Sequence, residues 1–288
     1  MNVSNKQLTT TQKNFIGYLK KHGKASATIL AYGKDIEQLV EFLQKKQITQ
    51  VTSVLAEHIE EFKEYLADNK YLAKTISRKL NSTKTFFRYL EEAKLIEKDP
   101  AASISHPKYE LKPPRILSKI EYRALRDTAR GDARMAAIVE LLLQTGLHIS
   151  ELARLKLEDF QDKEIKIRAY EFHPERTVPL NQKAKTSLER YLNIRPQTKS
   201  KSIFVTKTGR ALLVRNIRAA LDRYFRLAGI ENVKVNDLRH TFIAHQLMAG
   251  ASVVLLQKLV GHKRLSTTEK YLDLVKDKVK ETTKLEEL

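Results

Sequence analysis

The sequence predicts a mainly α-helical protein with a small β-sheet, divided into two domains. Three observations carry this reading. Apolar residues recur at steps of three and four through the first hundred positions, the pattern of amphipathic helices packed on one another. A proline-rich stretch without periodicity follows, "EKDPAASISHPKYELKPPRILS". Beyond it, helical patterns resume around one alternating segment, "EIKIRAYEFHPERTVPL", bounded by turn-prone residues.

The elements follow in order. In "TILAYGKDIEQLVEFLQKK", Ile29, Tyr32, Ile36, Leu39 and Leu43 form one stripe. "VTSVLAEHIEEFKEYLADN" repeats the pattern, with Thr52 or Ser53 as N-cap. In "AKTISRKLNSTKTFFRYLEEAKLI", the apolar face is Ile76, Leu80, Phe87 and Leu90, and the remainder carries Lys74, Arg78, Lys79, Lys84 and Arg88. Such a basic face is either solvated or tracks phosphates. Proline removes donors and biases its predecessor away from helix. The expected division is therefore a helical domain over 1–106, a linker over 107–116 and a second domain over 117–288. In that domain "SKIEYRALRDTA" and "ARMAAIVELLLQTG" read as helices, the latter ended by Gly146. The alternating segment gives two or three short strands, and helices are expected over about 181–193, 214–228, 236–249, 252–260 and 266–285.

Composition narrows the function. Lys and Arg number 53 against 34 Asp and Glu, a formal charge of +19 over 288 residues. That excess points to a polyanion, with nucleic acid first and an acidic membrane surface second. The absence of cysteine excludes disulfides, thiolate metal sites and cysteine nucleophiles. Apolar runs such as "AAIVELLL" are too short to span a bilayer, and the N-terminus has no apolar signal core. A cytoplasmic location is expected. His240 and His245 have no carboxylate partner at metal-ligand spacing, so no metal or other cofactor is expected; His245 and His58 read as structural.

"QTGLHISELARLKLEDF", "ERTVPL", "DLRHTFIAHQLMAGASVVLLQKLVGH" and "LSTTEKYL", in this order, resemble the boxes of the tyrosine recombinases, the phage integrases and Xer-type enzymes. The resemblance covers nearly the whole chain. It implies an N-terminal helical core-binding (SAM-like) domain and a mixed α+β catalytic domain. It also implies a two-domain clamp on double-stranded DNA, with assembly from dimer to tetramer on it and no small-molecule substrate.

The implied chemistry is attack of a tyrosine hydroxyl on a phosphodiester, giving a 3′-phosphotyrosyl intermediate. The covalent bond stores the energy of the cut, so neither ATP nor metal is required. By resemblance Tyr271, nine residues after His262, is the nucleophile. His262 hydrogen-bonds the scissile phosphate, Arg239 is the second phosphate-binding arginine, His240 follows it, and Glu151 braces the site. Arg168 and Arg176 join the basic helix face as DNA contacts. The tail "LDLVKDKVKETTKLEEL", with Leu272, Val275, Val279 and Leu285 on a loose stripe, docks on a neighbouring protomer.

Three positions depart from the family pattern. His148 stands where the first arginine belongs, Asn236 begins the "H-x-L-R" triplet, and Glu171 falls where a hairpin lysine acts as general acid. Lys166, Arg168, His173 and Arg176 are nearby candidates for the missing cation. A neutral imidazole offers one donor where arginine offers a charged fork. Loss of one preorganised donor costs on the order of 10²–10³ in rate. A phosphate beside His148 would raise its pKa and improve cleavage as pH falls toward about 6. Two readings stay open: site-specific recombination or integration by an enzyme with an altered active site, and a non-catalytic sequence-specific DNA-binding descendant.

Overall fold

The computed structural model describes residues 6–110, 112–171 and 173–276. The chain separates into two compact units, Met1–Leu111 and Lys112–Leu288.

Among the described residues the first unit has four α-helices: α1 (Leu8–Lys21), α2 (Ser26–Lys45), α3 (Ala56–Asp68) and α4 (Ala73–Glu92). Phe15 and Leu19, then Ile36, Leu39 and Leu43, then Ile59, Phe62 and Leu66, and finally Leu80, Phe86, Phe87 and Leu90 interlock in one core. The predicted stripes of α2 and α4 thus face inward, as the 3.6-residue period requires.

The predicted cap of α3 is corrected. Thr52 and Ser53 lie in a separate 3-10 turn, Val51–Ser53, and α3 starts three residues later behind Leu55. His58 reaches back to accept the Leu55 N–H at 3.1 Å, which gives this histidine its structural task. A cap must sit next to the first helical residue, and the intervening turn moves that residue out of reach of both hydroxyls.

The basic face of α4 is also corrected in part. Lys79 is buried, and its ammonium donates to Asp35 at 3.0 Å and Gln38 at 2.7 Å. Arg78 and Ser82 bond the same carboxylate. A buried carboxylate needs cationic and hydroxyl partners, and α4 supplies them to α2. Lys74 and Arg88 remain exposed, while Lys84 donates to the Ala102 carbonyl at 3.2 Å.

The second unit begins with α5 (Lys119–Ala129), closed by a capping box between Ser118 and Glu121. Then come α6 (Ala133–Thr145), capped by Asp132, and the short α7 (Ile149–Arg154). Strands β1 (Phe160–Gln161), β2 (Glu164–Ile167) and β3 (Arg176–Pro179) form an antiparallel sheet in chain order. Ile165 pairs with Val178, and Ile167 with Arg176. The first strand precedes the alternating segment that announced the sheet.

Helices α8 (Gln182–Ile194), α9 (Val214–Leu227), α10 (Val235–Met248) and α11 (Val253–Val260) follow the predicted limits closely. Of the long helix expected over 266–285, the described part is two pieces, α12 (Leu265–Glu269) and α13 (Leu272–Val275), separated at Tyr271. Val279, Leu285 and the rest of the tail beyond 276 lie outside the described residues. One core runs under α5 to α9 and the sheet, and a smaller one joins Phe242, Ile243, Leu256, Val260, Tyr271 and Val275. Among the described residues no helix is long and apolar enough to cross a membrane.

Candidate active site

The site forms where α6 ends, α7 begins, and α10, α11 and the segment around Tyr271 converge. Helix α6 stops at Gly146, whose φ of 63° is left-handed. Glycine adopts this without strain. A Cβ here would collide with the Phe242 ring of α10.

The freed Gly146 carbonyl accepts from Arg239 Nη1 at 2.7 Å, and the last carbonyl of α11, Val260, accepts from Nη2 at 2.6 Å. Two helix ends therefore hold one guanidinium, because each end has carbonyls without intrahelical partners. Arg239 is 9% exposed. Burial lowers its pKa from the ordinary arginine value, and Glu151 opposes that; the group stays charged at any physiological pH.

Around Arg239 stand two sets of side chains. In the first, the Tyr271 hydroxyl meets His240 Nδ1 at 2.5 Å, and His240 Nε2 meets the Asn236 amide nitrogen at 2.9 Å. An amide nitrogen only donates, so Nε2 accepts and the His240 proton sits on Nδ1, facing the tyrosine oxygen. The His262 ring lies nearly parallel to Tyr271, with centroids 6.4 Å apart, and its Nδ1 contacts Thr268 Oγ1 at 2.9 Å. Tyr271 is buried. Burial raises its pKa, which the charge of Arg239 opposes. Burial, Arg239 and His240 push His262 down to about 4.

The second set begins at His148, the N-cap of α7. Its backbone N–H donates to Glu151 Oε2 at 2.8 Å. Arg176 grips Glu151 with both terminal nitrogens, at 2.7 and 2.8 Å, and donates from Nε to the Leu259 carbonyl at 2.7 Å. Burial alone would raise the Glu151 pKa, but the Arg176 hydrogen bond and charge outweigh it and hold the carboxyl below its usual range. Arg176 has a side chain only 8% exposed. It is thus turned inward to brace Glu151, not outward as a DNA contact was expected to be. His173 Nδ1 lies 3.1 Å from Glu151 Oε1.

Other predicted residues stand at the edge. Glu171 is exposed, in a turn where its φ is 48°. Arg168 is bound to Asp159 at 2.6 Å and Glu158 at 2.8 Å, and Lys166 to Glu175 at 2.9 Å. His245 packs edge-on to Tyr122 at 5.5 Å.

The rise expected of the His148 pKa belongs to a ring with a phosphate beside it, and the protein itself starts from a lowered value. Burial first, then the Arg239 charge, lower it, so this imidazole is neutral at pH 7 in the protein itself. Sequence reasoning missed the two helix-end carbonyls that hold Arg239, along with Thr268, Ser150 and Tyr170. Only Ser150 left a signal, a hydroxyl two residues after a capping position.

This is a helical two-unit protein with a buried tyrosine, an arginine and several histidines gathered in its second unit. Residues 115–278 match the phage integrase family, and residues 13–94 match the phage integrase N-terminal SAM-like domain. A tyrosine recombinase XerC of Thermodesulfovibrio yellowstonii is 32% identical over 92% of this chain and 92% of its own. A lambda integrase dimer bound to a COC′ core site superposes with a TM-score of 0.76 at 16% identity, over 91% of this chain and 97% of that one. A lambda integrase tetramer bound to a Holliday junction gives 0.74 at 17%, over 92% and 80%. The chain belongs to the phage integrase family of tyrosine recombinases, enzymes of site-specific recombination that break and rejoin DNA.

Proposed function

We propose that the chain recombines double-stranded DNA at a specific site through a 3′-phosphotyrosyl intermediate, with an active site of reduced charge and correspondingly slow chemistry. The observation that carries this is the Tyr271 hydroxyl held by His240 at 2.5 Å beside the buried Arg239. Tyr271 loses its hydroxyl proton to water and attacks the phosphorus; the Oη–P bond forms as the P–O5′ bond breaks, and the departing 5′-oxygen takes a proton from water. The Nδ1 proton of His240, fixed by Asn236, stabilises the phenolate as it forms. Arg239 and neutral His262 take the non-bridging oxygens, and Glu151 keeps the start of α7 in place. His148 supplies one neutral donor, and Glu171 places an anion where a general acid would serve.

The protein acts in the cytoplasm. Lys74, Arg88 and the other outward cations of both domains, 1–106 and 117–288 about the 107–116 linker, hold the DNA. The segment beyond Tyr271 docks on a neighbouring protomer to build the tetramer. The raised Tyr271 pKa, with Glu171 and His148 in place of cations, favours a second reading, a DNA-binding protein without cleavage.

Covalent trapping on sheared genomic DNA of the source organism separates the two. The wild type should leave an SDS-resistant DNA adduct that Tyr271→Phe lacks. His148→Arg should form it faster, by on the order of 10²-fold if the restored fork acts as an oxyanion donor. Binding without an adduct in both the wild type and His148→Arg would establish the second reading.

A further inference from the structure

The turn between β2 and β3 is tied to α7 by groups that no step above employs. Tyr170 and His173 close the turn through reciprocal backbone hydrogen bonds of 3.1 and 2.8 Å. Their rings stack with centroids 4.4 Å apart, and the Arg154 guanidinium covers Tyr170 at 4.4 Å. So held, the Tyr170 hydroxyl bonds Ser150 Oγ, which lies 2.6 Å from His148 Nδ1. The Ser150 backbone N–H points at the same nitrogen from 3.3 Å.

The direction of this chain follows from one constraint. A backbone N–H can only donate, so Nδ1 accepts. The single proton of the neutral ring then sits on Nε2. The Ser150 hydroxyl donates to Nδ1 and accepts from Tyr170.

We propose that Ser150 and Tyr170 are positioning residues that hold His148 as a neutral Nε2–H donor toward a non-bridging phosphate oxygen. This rests on the recombinase reading for the identity of the acceptor, but not for the tautomer. The groups facing His148 are Arg239 from α10, Arg218 from α9, His173 from the hairpin and Glu151 from its own helix. Burial and the cations outweigh Glu151 and disfavour a second proton, in agreement with the geometry. A neutral donor needs its tautomer fixed, because rotating the proton to Nδ1 would turn a lone pair toward the phosphate oxygen. A guanidinium has no such requirement, since every nitrogen donates.

The test uses full-length ¹⁵N-labelled protein without DNA. NMR distinguishes protonated from unprotonated imidazole nitrogens, and loss of signal in His148→Gln assigns the ring. The wild type and Ser150→Thr should show protonated Nε2 and hydrogen-bonded, unprotonated Nδ1. Tyr170→Phe keeps the ring and loses the hydroxyl; in it and in Ser150→Ala the long 3.3 Å backbone N–H contact is the main restraint left on Nδ1, so a measurable fraction of the Nδ1–H tautomer should appear. A proton on Nδ1 in the wild type, or wild-type spectra in both variants, overturns the proposal.

In the trapping assay Tyr170→Phe should slow cleavage about tenfold, the value of one lost hydrogen bond. It should leave DNA affinity unchanged and add nothing to His148→Arg. An equal slowing in the His148→Arg background would make Tyr170 merely structural. A wild type that never forms an adduct removes the recombinase reading, while the NMR result still decides the tautomer.

Discussion

His148, His240 and His262 surround Arg239, and all three have pKa values pushed below that of a free imidazole. Burial is the first cause in each, and the fixed guanidinium is a further one. The sign has a consequence for stability. An unfolded histidine titrates near 6.5, so as pH falls through that value the unfolded chain takes up protons that the folded chain refuses. Stability is therefore full above about 6.5 and declines toward the folded value, about 4 for His262. Urea midpoints should be lower at about pH 5 than at about pH 7.5, and His262→Gln should lessen the drop. A midpoint that holds or rises at the lower pH would mean that these rings are charged in the fold. The candidate residues themselves were legible by type and spacing. Their protonation was not, because it depends on burial and on a guanidinium from another helix.

Helix ends, more than helix faces, build the site. The α6 stop at Gly146 and the α11 stop at Gly261, with φ of 63° and 74°, leave the carbonyls of Gly146 and Val260 to Arg239. Gly146→Ala should lower stability by at least ~1 kcal/mol for the left-handed backbone alone, plus the cost of moving the Phe242 ring. Thermal unfolding would measure it, and an unchanged Tm would mean that α6 can end elsewhere without cost. The apolar stripes made α2, α4 and α6 readable, since a period of 3.6 is local information. Whether a lysine of α4 faces water or Asp35 is not local. Lys79 and Arg78 are sequence neighbours of the outward cations, and only the approach of α2 draws them to a buried carboxylate.

At the scale of the whole molecule, charge decides how DNA is met. With a formal +19, binding should be driven largely by counterion release, and log K should fall linearly with log salt. Removing one phosphate-binding cation should reduce the slope by about 0.9. Lys74→Ala and Arg88→Ala, both at exposed positions, should each have that effect, whereas Arg176→Ala should instead unfold the site by stranding Glu151. Titration of labelled duplex at several salt concentrations measures the slopes. A salt-independent affinity would exclude a phosphate-tracking mode.

The sequence by itself determined the helical class, the small sheet, the charge and the family, because periodicity, composition and ordered boxes are properties of the chain. It also marked His148, Asn236 and Glu171 as departures. Only the tertiary structure decided what those departures become. Arg176 turns inward to Glu151, Asn236 orients His240 toward Tyr271, and His148 is joined to Tyr170 through Ser150. The Arg176–Glu151, His240–Tyr271 and Ser150–Tyr170 bonds join residues on different elements, and a hydrogen bond exists only when both partners arrive with the right geometry. Spacing along the chain carries no record of that.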